Sequence, residues 1–132
     1  MIVLAEVFLA KAEESLAGAE SEFANRWYNN CANRCYYACF QAAVHALIRA
    51  GVSPRGDRRQ WGHAFVQAEF VGQLVNRRKL YSPDLRDALE RTYGLRQRGD
   101  YTRDFVTELE ASRALRRTVS FLDEVRTRSR VS

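Results

Sequence analysis

Between Leu4 and Phe23 apolar residues return at roughly helical spacing, at Leu4, Val7 or Phe8, Leu16, Ala19 and Phe23, while Lys11, Glu13, Glu14 and Glu20 fall mostly elsewhere. The pattern predicts an amphipathic first helix. It breaks at Asn25-Arg26-Trp27-Tyr28, where Asn25 offers a cap for the helix that follows. That second helix, predicted from about Tyr28 to Ala50, is rich in small and aromatic residues and contains no acid, which places it at the centre of the fold. Gly51 supplies a left-handed stop, and Val52 to Arg59 forms a basic loop expected to be mobile.

A third helical stripe runs from about Gln60 to Asn76 through Trp61, Ala64, Phe65, Ala68, Phe70, Val71 and Leu74, around the single histidine His63. Ser82-Pro83-Asp84 then has the serine cap, first-turn proline and acid of a helix start, so a fourth helix is predicted from there to about Arg98. Leu85, Leu89, Thr92 and Arg96 share one of its faces. A break is expected at Gly99, and a fifth helix from about Thr102 or Arg103 to Arg126, with Phe105, Leu109, Ser112, Leu115, Val119 and Leu122 at three- and four-residue steps. Thr127 to Ser132 reads as a frayed tail. No β-type alternation interrupts the chain. The expected fold class is all-α, an antiparallel up-and-down bundle of four long helices plus one shorter one, in a single domain over residues 1–132.

Composition adds three constraints. No apolar run approaches the ~18 residues that a membrane span needs, and Met1 to Leu4 is too short for a secretory signal, so a soluble cytoplasmic protein with no membrane partner is expected. Cys31, Cys35 and Cys39 are an odd number on one segment, which argues for reduced thiols; their spacing is wrong for zinc, no metal or other cofactor is expected, and small buried thiols are the reading. The formal net charge is +5, and Lys11 and Lys79 are the only lysines. Arginine forks suit phosphates, so a polyanionic partner is compatible with the charge.

Candidate chemistry gathers where the fourth helix is expected to end. Arg96 lies seven residues beyond Leu89, almost two turns, so it follows the apolar seam while Arg98 points away. A guanidinium on a seam needs a partner; Asp100 is four residues on, and Tyr101 adds a hydroxyl. On the second helix Asn30, Arg34, Tyr37, Gln41 and His45 form a polar stripe at steps of three and four. Arg34 and Arg96 with nearby tyrosines would suit a phosphate and a stacked base; an ordinary polar dimer interface is the alternative. His45 and His63 are the only histidines, hence the natural candidates for a general base, although His63 at a helix start also suits a capping or interface hydrogen bond. Arg55-Gly56-Asp57 is read as part of the loop, not as an adhesion motif.

Arg34-Cys35-Tyr36-Tyr37-Ala38-Cys39-Phe40, continuing to Gly51, then His63 with Phe65 and Phe70, then Leu95-Arg96-Gln97-Arg98-Gly99-Asp100-Tyr101, together resemble the HEPN superfamily, and more narrowly its small stand-alone proteins of the UPF0332 type. The resemblance covers about residues 4 to 126. It implies a helical bundle that pairs as a homodimer with the arginine segments at a shared cleft, RNA or nucleotide as ligand, and a minimal nucleotidyltransferase partner in a toxin–antitoxin-like system. Many such proteins cleave RNA without metal, using an arginine and a histidine separated by four to six residues. Residue chemistry and the resemblance together make Arg96 and Tyr101 the candidate catalytic positions and Arg34, Tyr37, Asp100 and His63 the candidate binding ones; by the resemblance Tyr101 stands where the family has its histidine. A tyrosine of ordinary pKa near ~10 is a poor base at neutral pH. Three readings follow: a binding module, a metal-independent endoribonuclease with His63 or His45 as proton shuttle, and a structural dimer.

Overall fold

The computed structural model describes residues 2–54 and 60–131, the side chains of 2, 3 and 131 excepted; the Arg55-Gly56-Asp57 triplet and most of the basic loop lie outside the described residues. The fold is all-α: α1 (Ile2–Ala24), α2 (Tyr28–Arg49), α3 (His63–Glu69) continuing as a π-helical segment (Phe70–Arg77), a short 3₁₀ turn (Pro83–Leu85), α4 (Ala88–Tyr101) and α5 (Glu108–Val131). No strand occurs among the described residues. No helix among them is long and apolar enough to cross a membrane.

The central place expected for α2 is observed. Thirteen of its residues are buried, from Cys31 to Ile48. Small side chains let α1 lie close along it through Ala5, Ala12, Leu16 and Ala19. The direction of the helices follows from their contacts: His45 near the end of α2 reaches the Ala5 carbonyl near the start of α1 and the Ser129 hydroxyl near the end of α5. α1 and α2 are therefore antiparallel, and α5 runs beside α2 in its direction. The main core gathers Phe70, Phe121, Leu47, Leu74, Leu89 and Leu122, each buried side chain contributing about 1.5–3 kcal/mol relative to exposure. A smaller core of Ala19, Cys31, Ala32, Cys35, Val106, Ala111 and Ala114 lies beneath the connection from α4 to α5.

Several boundaries differ from those expected. Asn25 does not cap α2; its amide donates to the Ser21 carbonyl and closes α1, while Arg26 turns the chain at φ 65°. α3 begins at His63, after the extended Gly62. Its buried residues Val66, Phe70 and Leu74 recur at steps of four and share one face, and from Phe70 to Arg77 the turns widen to π-helical. Ser82 accepts from the Asp84 N–H as expected, but the helix proper restarts only at Ala88. Most consequentially, Gly99 does not break α4, which continues to Tyr101, and α5 starts at Glu108 and runs past Arg126 to Val131. At Gly99 a Cβ would sit 3.0 Å from Val106 Cγ2 and 3.3 Å from Asn29 Oδ1, so the glycine serves close approach. The break comes from Thr102, whose hydroxyl donates to the Arg98 carbonyl, and Thr107 and Glu110 start α5 with a reciprocal capping pair.

Candidate functional site

Because α4 is unbroken, Arg96 and Asp100 are a true i, i+4 pair. Arg96 Nε lies 3.4 Å from Asp100 Oδ2, yet is buried and makes no hydrogen bond. The side chain, only 15% exposed, lies against α2 with its guanidinium carbon 5.4 Å from the Tyr36 ring centre, 5.1 Å from that of Tyr37 and 5.8 Å from that of Tyr101. Three ring faces of negative quadrupole thus hold one cation, which compensates part of its lost hydration. Its Nη2 donates to the Tyr101 hydroxyl at 3.5 Å.

A second guanidinium, that of Arg34, stands 5.0 Å from the Tyr37 ring centre. Asn33 ties the two arginines together: its side-chain oxygen accepts from Arg34 Nε and Nη2 at 3.1 and 2.8 Å, and its amide donates to Asp100 Oδ2 at 2.9 Å. Asn33 is the principal site residue absent from the expected set. Its spacing of four before Tyr37 places it on the same face and is the signal that could have found it. Of these groups Arg96 and Tyr101 line a cleft of about 690 Å³, together with Gln97, Arg98 and Thr102.

His63 sits in a row behind. Its Nδ1 is 3.0 Å from the Tyr36 hydroxyl, its Nε2 2.8 Å from Glu90 Oε1, and its ring stacks on Tyr93 at 3.9 Å. Burial pushes the Tyr36 hydroxyl well above its ordinary pKa against the lowering pull of Arg96. The phenol stays protonated and can donate to Nδ1 or accept from it, according to the tautomer of the ring. Both ring nitrogens are engaged. Gln97 donates to the Tyr93 hydroxyl at 2.9 Å and continues the network along α4.

The expected set is thus partly assembled. Arg96, Asp100, Tyr101, Arg34 and Tyr37 come together, and His63 joins them through Tyr36. The polar stripe of α2 does not form one open surface. Asn30 donates to Glu22, Gln41 pairs with Ser15 at 2.8 Å, and His45 is buried against α1 and α5, so most of the stripe is consumed by packing within the chain. Burial lowers the pKa of His45, with no route to the cleft. The three thiols are fully buried and free, and burial raises Cys39 to about 11 while its Sγ contacts the Thr118 hydroxyl. Arg98 points away, as expected, and pairs with Glu110; that pairing first, then the Thr107 N–H, holds the Glu110 carboxyl at about 2.

A family model for the HEPN domain matches residues 5–128. No curated protein matches the chain.

Proposed function

The chain belongs to the HEPN family, and from that premise we propose that it binds RNA or a nucleotide in the cleft built on Arg96. In this reading Arg96 grips a phosphate, Tyr101 and Tyr37 offer faces for a base, and Asn33 and Asp100 hold the guanidiniums in place. The observation that carries it is the Arg96 guanidinium, held against three tyrosine rings and braced by Asp100 at the wall of an open cleft. A cation fixed in this way before the ligand arrives is suited to an incoming anion.

The same reading includes a homodimer of the UPF0332 type that works with a minimal nucleotidyltransferase in a toxin–antitoxin-like pair. Tyr101, Phe105 and Leu109, exposed by 71, 80 and 54% beside the cleft, support a protein contact there. The test is fluorescence anisotropy with a labelled single-stranded RNA at low salt, alongside sedimentation of the free protein. Arg96→Ala removes a charge-assisted contact worth ~1.5–3 kcal/mol, so affinity should fall about 10- to 100-fold. Unchanged affinity in this variant would refute the site. A monomer at micromolar concentration would remove the dimer.

A second reading, metal-independent endoribonuclease, is favoured by the Glu90–His63–Tyr36 hydrogen-bonded line that ends beside Arg96. Here His63, and not His45, serves as the proton carrier that Tyr101 cannot replace. It predicts RNA cleavage without metal that His63→Ala abolishes while binding is retained. Binding without cleavage leaves the first reading alone, and absence of both leaves a structural module.

A further inference from the structure

Beside the Arg96 cleft a second groove runs between α4 and α5, a cavity of about 330 Å³ whose lining includes Arg91, Gly94, Arg98, Arg113 and Arg117. Two carboxylates line it as well, Glu110 bound to Arg98 and the Thr107 N–H and Glu90 bound to His63, so the four arginines outnumber the acids by two. Arg91 has only an exposed pair with Asp87 at 3.8 Å, a kind of contact worth little in water. Arg113 and Arg117 have no salt bridge among the described residues. Burial of Arg117, and then the neighbouring charge of Arg91, disfavour its protonated form, a cost that an anion in the groove would offset.

Arg98 lines both cavities, so groove and cleft adjoin at the end of α4. Along α4 from Arg91 to Arg98 the track is roughly 10 Å long, more than one phosphate occupies. Gly94 lies in this track, and a Cβ there would meet nothing within 4 Å. Guanidinium forks repeated along a groove match successive phosphates, and the tyrosine faces at one end match a base. An acidic polypeptide would use the first feature and leave the second idle.

We propose that the groove carries the phosphodiester backbone of a single-stranded RNA whose recognised nucleotide sits at Arg96, so that the ligand of the cleft is a strand and not a mononucleotide. The inference rests on the nucleotide- or RNA-binding reading above and narrows its substrate class.

The experiment compares a labelled oligouridylate of about 12 nucleotides with UMP as competitor, on wild type, Arg96→Ala, Gly94→Glu and the double variant Arg113→Gln/Arg117→Gln. The oligomer should bind at least ~30-fold more tightly than UMP, because each phosphate neutralised adds counterion release. Gly94→Glu sets a carboxylate in the track from a position where the new Cβ meets nothing within 4 Å, and should weaken the oligomer about 10-fold while leaving UMP unmoved. The arginine pair should do the same and reduce the salt slope by about 1.4, at ~0.7 per lost phosphate contact on a single strand. Should Gly94→Glu melt below wild type, the arginine pair decides. Equal affinity for oligomer and UMP, or groove variants that leave the oligomer unmoved, overturns the track but not the Arg96 site, provided Arg96→Ala abolishes UMP binding. If neither ligand binds wild type, both readings fall. Displacement of the oligomer by polyglutamate as effectively as by unlabelled RNA overturns the track in favour of an acidic polypeptide.

Discussion

Two glycines on α4 should respond to the same substitution with opposite sign. Replacing a helix-interior glycine by alanine gains about 0.8–1.0 kcal/mol of helix propensity. At Gly94 the new methyl meets nothing within 4 Å, so Gly94→Ala should stabilise by nearly that amount. At Gly99 the methyl would stand 3.0 Å from Val106 Cγ2 and 3.3 Å from the Asn29 oxygen that accepts the Val106 N–H at 2.8 Å. Val106 belongs to the small core and Asn29 is fixed by that bond, so neither retreats freely. Overpacking of this kind costs ~1–3 kcal/mol and the strained hydrogen bond ~1 more, which outweighs the propensity gain. The net expectation is a loss of about 1–3 kcal/mol. At roughly 4 °C per kcal/mol for a chain of this size, Gly99→Ala should lower Tm by ~4–12 °C and Gly94→Ala raise it by ~2–4 °C in circular-dichroism melts. Truncating Val106 removes the opposing methyl, so a Gly99→Ala/Val106→Ala cycle should show a favourable coupling of ~1 kcal/mol or more. Stabilisation by Gly99→Ala, or no coupling to Val106, would refute the close approach and with it the unbroken helix that positions Arg96 against Asp100.

Other outcomes follow from the network and its titrations. Asn33→Ala frees Arg34 and Asp100 together; at ~1 kcal/mol for the lost positioning, RNA affinity should drop about 5-fold in anisotropy, with little change in Tm. Glu110 has a depressed folded pKa of about 2, so its stabilisation is present above the unfolded value and lost as pH falls through about 2. Denaturant melts should accordingly find Glu110→Gln less stable than wild type at pH 6 by ~1 kcal/mol, the gap closing as the pH approaches 2. For His45 the sign is reversed relative to a salt-bridged histidine. Burial lowers its folded pKa, so below ~6.5 the unfolded chain takes up a proton that the folded one refuses, and stability falls with pH by up to ~1.4 kcal/mol per unit. His45→Gln should flatten the stability profile between pH 7 and 5, and an unaltered slope there would count against the burial argument.

Much of the bundle is legible in residue order because its helices are made by periodicity. The acid-free run of α2 announces its central place, and the step of seven from Leu89 to Arg96 announces a guanidinium on the seam. What was not legible depends on tertiary partners. Gly99 carries the local signature of a stop, yet its role is set by Asn29 and Val106, the first of them on another helix. Gln41 and His45 look like a continuation of the Arg34–Tyr37 face, but α1 and α5 cover them. The role of Asn33 is not legible locally, because Asp100, which it fixes, is 67 residues away in the chain.

The central claim is that RNA or a nucleotide lies against the tyrosine rings that hold Arg96, and photo-crosslinking measures this directly. A single-stranded RNA substituted with 4-thiouridine, bound at low salt and irradiated, should leave adducts that mass spectrometry maps to Tyr37 or Tyr101, and these should disappear in Arg96→Ala. Adducts confined to other segments, or undiminished in Arg96→Ala, would contradict the account.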